Sequence, residues 1–144
     1  MTLVNRVNLE SAFVLHTRAF KETSLLLDLL TENFGRINVV AKGARKPKSP
    51  LRSVLTPAAL LSVSFSGKSD LKNLNACELM NHYSLSTPIA FNSILYVNEL
   101  LIKSSEREDP QEQIFNHYKL LCEGLSLADL NKIQVEVLLR SFEL

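Results

Sequence analysis

Residues 11–42, SAFVLHTRAFKETSLLLDLLTENFGRINVVAK, decide the fold. From 11 to 20 the pattern alternates, with Phe13, Leu15 and Thr17 on one face and His16 and Arg18 on the other, the period of an extended strand. Residues 23–31 then set Leu25, Leu27 and Leu29 on one side, with Asp28 pointing the opposite way. A helix is the competing reading of this leucine run. The segment is short, however, and stops at Glu32-Asn33-Phe34-Gly35, which reads as a turn. A third strand over 36–42 ends at Gly43, where a positive φ lets the chain turn away.

The next segment carries Pro47, Pro50 and Pro57. Proline lacks a backbone donor and fixes φ, so a central strand is excluded there. The spacing predicts a short helix over 49–54, with Ser49 as cap and Pro50 at its first position. A fourth strand follows in ALLSVSFSG (59–67), where Leu61, Val63 and Phe65 face one way and Ser62 and Ser64 the other. The fifth, over 70–79, is irregular at Asn73 and Leu74, as at a bulge. Residues 1–10 give no readable pattern. Five short strands predict a small closed barrel over 1–82. An oligonucleotide/oligosaccharide-binding barrel (OB-fold) has this strand number, and so does an SH3-like barrel.

Beyond Tyr83 the period lengthens to that of helices. Thr87-Pro88 opens one, whose expected stripe is Phe91, Ile94, Leu95, Asn98 and Leu101. Asp109-Pro110 repeats the start signal before Ile114, Tyr118, Leu121 and Leu125. Ser126 and Asp129 resemble a capping box opening a third helix with Leu130, Ile133, Val137 and Leu138. The expected class is therefore α+β, a barrel followed from residue 83 by the start of a helical domain. The third apolar face runs to Leu144 without a stop signal, and the chain is expected to be part of a longer protein.

Charge is unevenly placed. Lys42, Arg45, Lys46, Lys48 and Arg52 fall within eleven positions, and no acid lies between Glu32 and Asp70. Arg36 and Lys68 extend this window to a local charge of +7. Residues 1–84 carry eleven basic and six acidic side chains, and residues 85–144 five and nine, although the whole chain has a net charge of only +1. A solvated, solubilising loop is the plain reading of such a run; a surface for a polyanion, above all nucleic-acid phosphate, is the functional one. Lys42, Arg45, Lys46, Lys48 and Arg52 are the candidate phosphate contacts, with Arg36 and Arg18 secondary. Phe20, Phe34 and Tyr83 are candidates for base stacking, while Phe13 and Phe65 belong to the core. Binding is expected to be backbone-dominated and tolerant of sequence.

Catalysis has little to draw on. His16, His82 and His117 lie in separate elements, and Glu106, Glu108, Asp109 and Glu112 suit a loop and a first helical turn. No phosphate-cradling glycine motif occurs, and Cys77 and Cys122 lack metal-ligand spacing. Neither an enzyme nor a metal or other cofactor is expected. With no membrane-length apolar run and no leader-like N-terminus, the setting expected is cytoplasmic. An alternative to nucleic-acid binding is an adaptor whose helical half recruits a protein. Anionic lipid is disfavoured, because no amphipathic basic helix accompanies the charge.

Linked motifs then point to a family. Residues 12–57, with ETSLLLDLLT, the GR after it, VAKGAR, and SPLR followed by Leu55 and Pro57, resemble the N-terminal barrel of the RecO recombination mediators. YVNELL (96–101), the EDP at 108–110 and LLRSFEL (138–144) resemble the start of that family's helical domain. The resemblance covers residues 11–144. It implies an OB-fold and a bacterial role in DNA repair by homologous recombination. It also implies binding of single- and double-stranded DNA, ATP-independent annealing of complementary strands, and work with RecR to load RecA onto DNA coated by single-strand-binding protein (SSB), whose acidic C-terminal tail is contacted. Some members carry a cysteine-rich zinc motif in a later part.

Overall fold

A computed structural model of the chain describes residues 6–126 and 140. Strands β1 (Arg6–Phe20), β2 (Ser24–Thr31), β3 (Gly35–Ala41), β4 (Ala59–Ser66) and β5 (Leu71–His82) close into a barrel in the order β1-β2-β3-β5-β4. All neighbours are antiparallel except β3 and β5, which run parallel over Asn38–Val40 and Leu71–Asn73. This closed meander with one parallel closure is an OB-fold. Helices α1 (Pro88–Ser104) and α2 (Glu112–Leu125) follow.

The alternating residues fill the barrel as their period requires. Leu27, Leu29, Ile37, Val39, Leu61 and Val63 are fully buried inside it, with Phe65 beside them. β1 serves two cores. Ala12 and Val14 face the barrel interior, whereas Phe13 and Leu15 face outward into a second cluster with Ile94, Val97, Phe115 and Tyr118. The Phe13 ring centroid is 4.8 Å from that of Tyr118 and 5.4 Å from that of Phe115. A strand flank that would meet water in an isolated barrel is thus covered by helices.

Several expectations are corrected. β1 begins at Arg6, because a register irregularity between Val7 and Glu10, with Leu9 at φ 55°, breaks the two-residue period. β5 runs to His82; a register irregularity falls next to Leu74 as expected, opposite Ser64 and Phe65, and a second lies opposite Leu60 and Leu61. The expected helix over 49–54 is a single turn. Leu55 N donates to the Leu51 carbonyl, and the Ser49 hydroxyl accepts from Leu51 N. Thr87 does cap α1, accepting from Ala90 N at 3.1 Å. Its buried face, however, is Ala90, Ser93, Ile94, Val97, Asn98 and Leu101, leaving Phe91 and Leu95 exposed. α2 starts at Glu112 rather than just after Pro110, because the preceding segment is tied to the barrel. The third helix expected from Ser126 and Asp129 lies outside the described residues.

That tie is a strap made by residues 105–109. Arg36 donates to the Ser105 hydroxyl (3.1 Å) and carbonyl (2.9 Å), and Glu108 N donates to the Arg36 carbonyl at 2.7 Å. Lys72, buried beneath, pairs with Glu108 at 2.9 Å. The strap passes so close to β3 that a Cβ on Gly35 would stand 2.4 Å from the Asp109 carbonyl oxygen. Gly35, at φ +71°, meets both demands with one residue.

Candidate nucleic-acid interface

OB-folds take ligands on the outer face of their second and third strands, flanked by the loops after strands one and four. Here that face carries Leu26 and Asp28 from β2, and Arg36, Asn38 and Val40 from β3. Between it and α1 runs a groove of about 990 Å³. Its walls include Arg18, Lys103 and Arg107, but also Asp28, Asp70 and Glu99. The groove is mixed in charge. At its end toward Gly43, beyond Phe20 and Leu71, lies a smaller pocket of about 530 Å³ with a different lining: Lys21, Lys42 and Lys46, and no acidic side chain.

The loop at 42–58 is held against this face by an arginine. Arg45 Nε donates to the Ser24 carbonyl at 2.8 Å, and its Nη2 donates to the carbonyls of Lys21 and Glu22, each at 2.7 Å. The backbone joins in, Arg45 N donating to the Thr23 carbonyl at 2.8 Å. Ala44 and Leu55 bury themselves in the barrel core on either side of the loop. The basic loop is therefore a fixed ledge packed on the β1–β2 turn.

The seven basic positions singled out from the sequence separate into two groups. Lys42, Lys46, Lys48 and Arg52 are exposed, and among the described residues none has an ion pair. Arg18 is exposed on the groove wall. Arg45 spends its guanidinium on backbone carbonyls. Arg36 pairs with Asp28 at 2.9 Å and holds Ser105, so the local charge of +7 falls by one where Asp28 folds back onto it. Pairing of β2 with β3 puts Asp28 opposite Asn38, two residues from Arg36, a closeness that residue counting along the chain hides.

The three aromatic candidates separate as well. Phe34 packs edge-on against Phe65, centroids 6.0 Å apart, at the barrel core. Tyr83 is buried with Phe13, its hydroxyl donating to Glu123. Phe20 alone of the three lines the lysine pocket, with the Lys21 ammonium 5.5 Å from its ring centroid. Sequence reasoning did not single out Lys21 or Asn73, which share that pocket. Lys21 follows the end of β1 directly, and that adjacency was the available signal. Among the described residues no cluster of His, Cys, Asp and Glu could hold a metal ion, and no helix is long and apolar enough to cross a membrane.

A closed five-stranded barrel with one parallel closure defines the class: an OB-fold domain. The family model described as "Recombination protein O N terminal" matches residues 6–83, the whole of the barrel. The chain belongs to the RecO family. It is 43% identical over 138 residues to the DNA repair protein RecO of Paraburkholderia xenovorans, covering 96% of this chain and 45% of that protein. It is 42% identical to the DNA repair protein RecO of Actinobacillus pleuropneumoniae over 136 residues, 94% of this chain and 55% of the relative. Polynucleobacter asymbioticus has a DNA repair protein RecO that is 42% identical over 139 residues, 96% and 57% of the respective chains. The chain thus spans about half the length of the curated relatives it matches.

Proposed function

We propose that this chain is the DNA-binding portion of a recombination mediator, which anneals complementary strands and helps load RecA onto SSB-coated single-stranded DNA. Exposed, unpaired Lys42, Lys46, Lys48 and Arg52 on a ledge fixed beside the OB-fold ligand face carry this reading. Their charge screens two polyanionic strands so that they can approach and pair, a task that needs no nucleotide hydrolysis. Arg18 adds a contact along the groove. Arg45 and Arg36, whose donors are engaged by the protein, act by holding the ledge and the strap. Residues to 82 form the DNA-binding unit, and those from 83 begin the helical domain. Double-stranded DNA, the SSB tail and RecR are the further partners, with RecA served indirectly, in the cytoplasm.

Strand annealing tests this reading. Complementary oligonucleotides coated with SSB should pair faster when the full chain is added, without ATP, and the gain should fade as salt rises. Unchanged pairing rates would count against it. A second reading, an adaptor that recruits a protein through its helices, draws on the exposure of Ile89, Phe91, Leu95 and Tyr96 along α1. Capture of SSB that survives high salt and loss of the loop lysines would favour the adaptor.

A further inference from the structure

The lysine pocket has features that phosphate binding alone does not require. A cationic ledge needs only exposed positive groups, and Lys48 and Arg52 supply them outside the pocket. The pocket instead combines Lys42 and Lys46 with an apolar wall of Phe20, Val40 and Leu71, and with the amide of Asn73. Its volume of about 530 Å³ lies in the range of small-molecule sites. An aromatic ring beside ammonium groups is the pairing that a nucleotide presents in complement, a flat π-face joined to an anion.

We propose that this pocket receives one unstacked nucleotide of a single strand, its base against the Phe20 ring and its backbone phosphate on Lys42 and Lys46. The inference rests on the DNA-binding reading above and adds Phe20 as the residue that distinguishes a single strand from a duplex. The Lys21 ammonium now lies over the Phe20 ring. A base arriving there takes over the ring face, and the freed ammonium turns to the adjacent phosphate, so one cation–π contact is exchanged for stacking plus charge neutralisation. The groove on the other side of Phe20 and Leu71 is mixed in charge, with Asp28, Asp70 and Glu99 among its walls, whereas no carboxylate lines this pocket. Its shape is fixed before any ligand arrives. Arg45 joins the β1–β2 turn to the ledge, and Gly43 at φ +69° turns the chain so that the Lys46 side chain passes beside it. In a duplex the bases are stacked inside, so duplex DNA reaches the lysines but not the ring.

Three ligands separate the possibilities at one salt concentration: labelled oligothymidylate, the same strand with abasic sites, and a duplex. The full chain should bind the base-bearing strand more tightly than the abasic one. Phe20→Leu should weaken binding of the base-bearing strand about tenfold while leaving the abasic strand and duplex unchanged. Lys42→Ala with Lys46→Ala should weaken all three. Loss confined to the lysine variant would overturn the nucleotide pocket while leaving DNA binding by the ledge intact. No loss in either variant would defeat both. An equal loss for all three ligands with Phe20→Leu would make Phe20 a packing residue and overturn the proposal. Should that variant not fold, equal affinity of the unaltered chain for base-bearing and abasic strands would overturn it instead.

Discussion

The Arg36 guanidinium lies 2.9 Å from the Asp28 carboxylate, and both side chains are largely buried, at 11% and 18% exposure. The same guanidinium holds Ser105 by two further hydrogen bonds, so one side chain joins β2, β3 and the strap. A charge that the sequence offers to DNA is used instead to fasten the helices to the barrel. Removing it leaves the largely buried Asp28 without its cation. Arg36→Ala should therefore cost about 3 kcal/mol in unfolding free energy, while affinity for DNA measured on the folded fraction stays within about twofold. Denaturant unfolding and DNA titration of the variant check both halves.

Gly35 tests the same fastening from the other side. A methyl group there meets the Asp109 backbone at 2.4 Å and must also adopt φ +71°. Gly35→Ala should lose about 2 kcal/mol or more, a fall in Tm of roughly 5 °C. Calorimetry reads this directly. A variant as stable as the parent would show that the strap does not bear on β3.

Arg45 acts by geometry more than by charge. Its two nitrogens reach three carbonyl oxygens at once, a fork that a lysine cannot reproduce. Arg45→Lys keeps the charge, yet it should lower DNA affinity several-fold, about as much as Arg45→Ala does, and speed amide exchange at Gly43 and Arg45. Full affinity in Arg45→Lys would reassign this residue to direct phosphate contact.

The thiols and phenols that depart from ordinary behaviour are all raised. Burial pushes the Cys77 thiol up to about 11 from 9.0. Burial raises Cys122 further, with Glu123 adding to it, and it also raises Tyr118 and Tyr83. Each group holds its proton more tightly in the folded chain than in the unfolded one. On the alkaline side stability should then fall as pH rises past about 9 and on up to about 11, because the unfolded state releases protons first. Both thiols should also alkylate slowly at pH 8 in the folded protein. Urea midpoints between pH 7 and 10.5 check the sign, and a rise would contradict it.

Much of the fold was legible because the period-two pattern survives wherever one face is buried. Leu25, Leu27 and Leu29 in β2, and Leu61, Val63 and Phe65 in β4, point as their spacing requires. Legibility failed where tertiary contact overrides local pattern. The entry to β1 is hidden by an irregularity at Leu9, and Phe91 and Leu95 sit at helical spacing yet outside the packed face of α1. In the candidate site, the charge run identified Lys42, Lys46, Lys48 and Arg52, which stay exposed. Composition could not show that Arg36 and Arg45 would be used up internally, since their partners come from β2, the β1–β2 turn and the strap. Nor could it choose among Phe20, Phe34 and Tyr83, whose fates depend on which core each strand end meets.

The central claim is that the ledge is a phosphate-binding surface, and the salt dependence of single-strand binding tests it most directly. Fluorescence anisotropy with labelled single-stranded DNA should give an affinity whose logarithm falls linearly with the logarithm of salt concentration. Lys46→Ala combined with Lys48→Ala should reduce that slope by about 1.4, two phosphate contacts at roughly 0.7 each. A slope unchanged in the double variant, or no binding at low salt by the folded chain, would contradict the account.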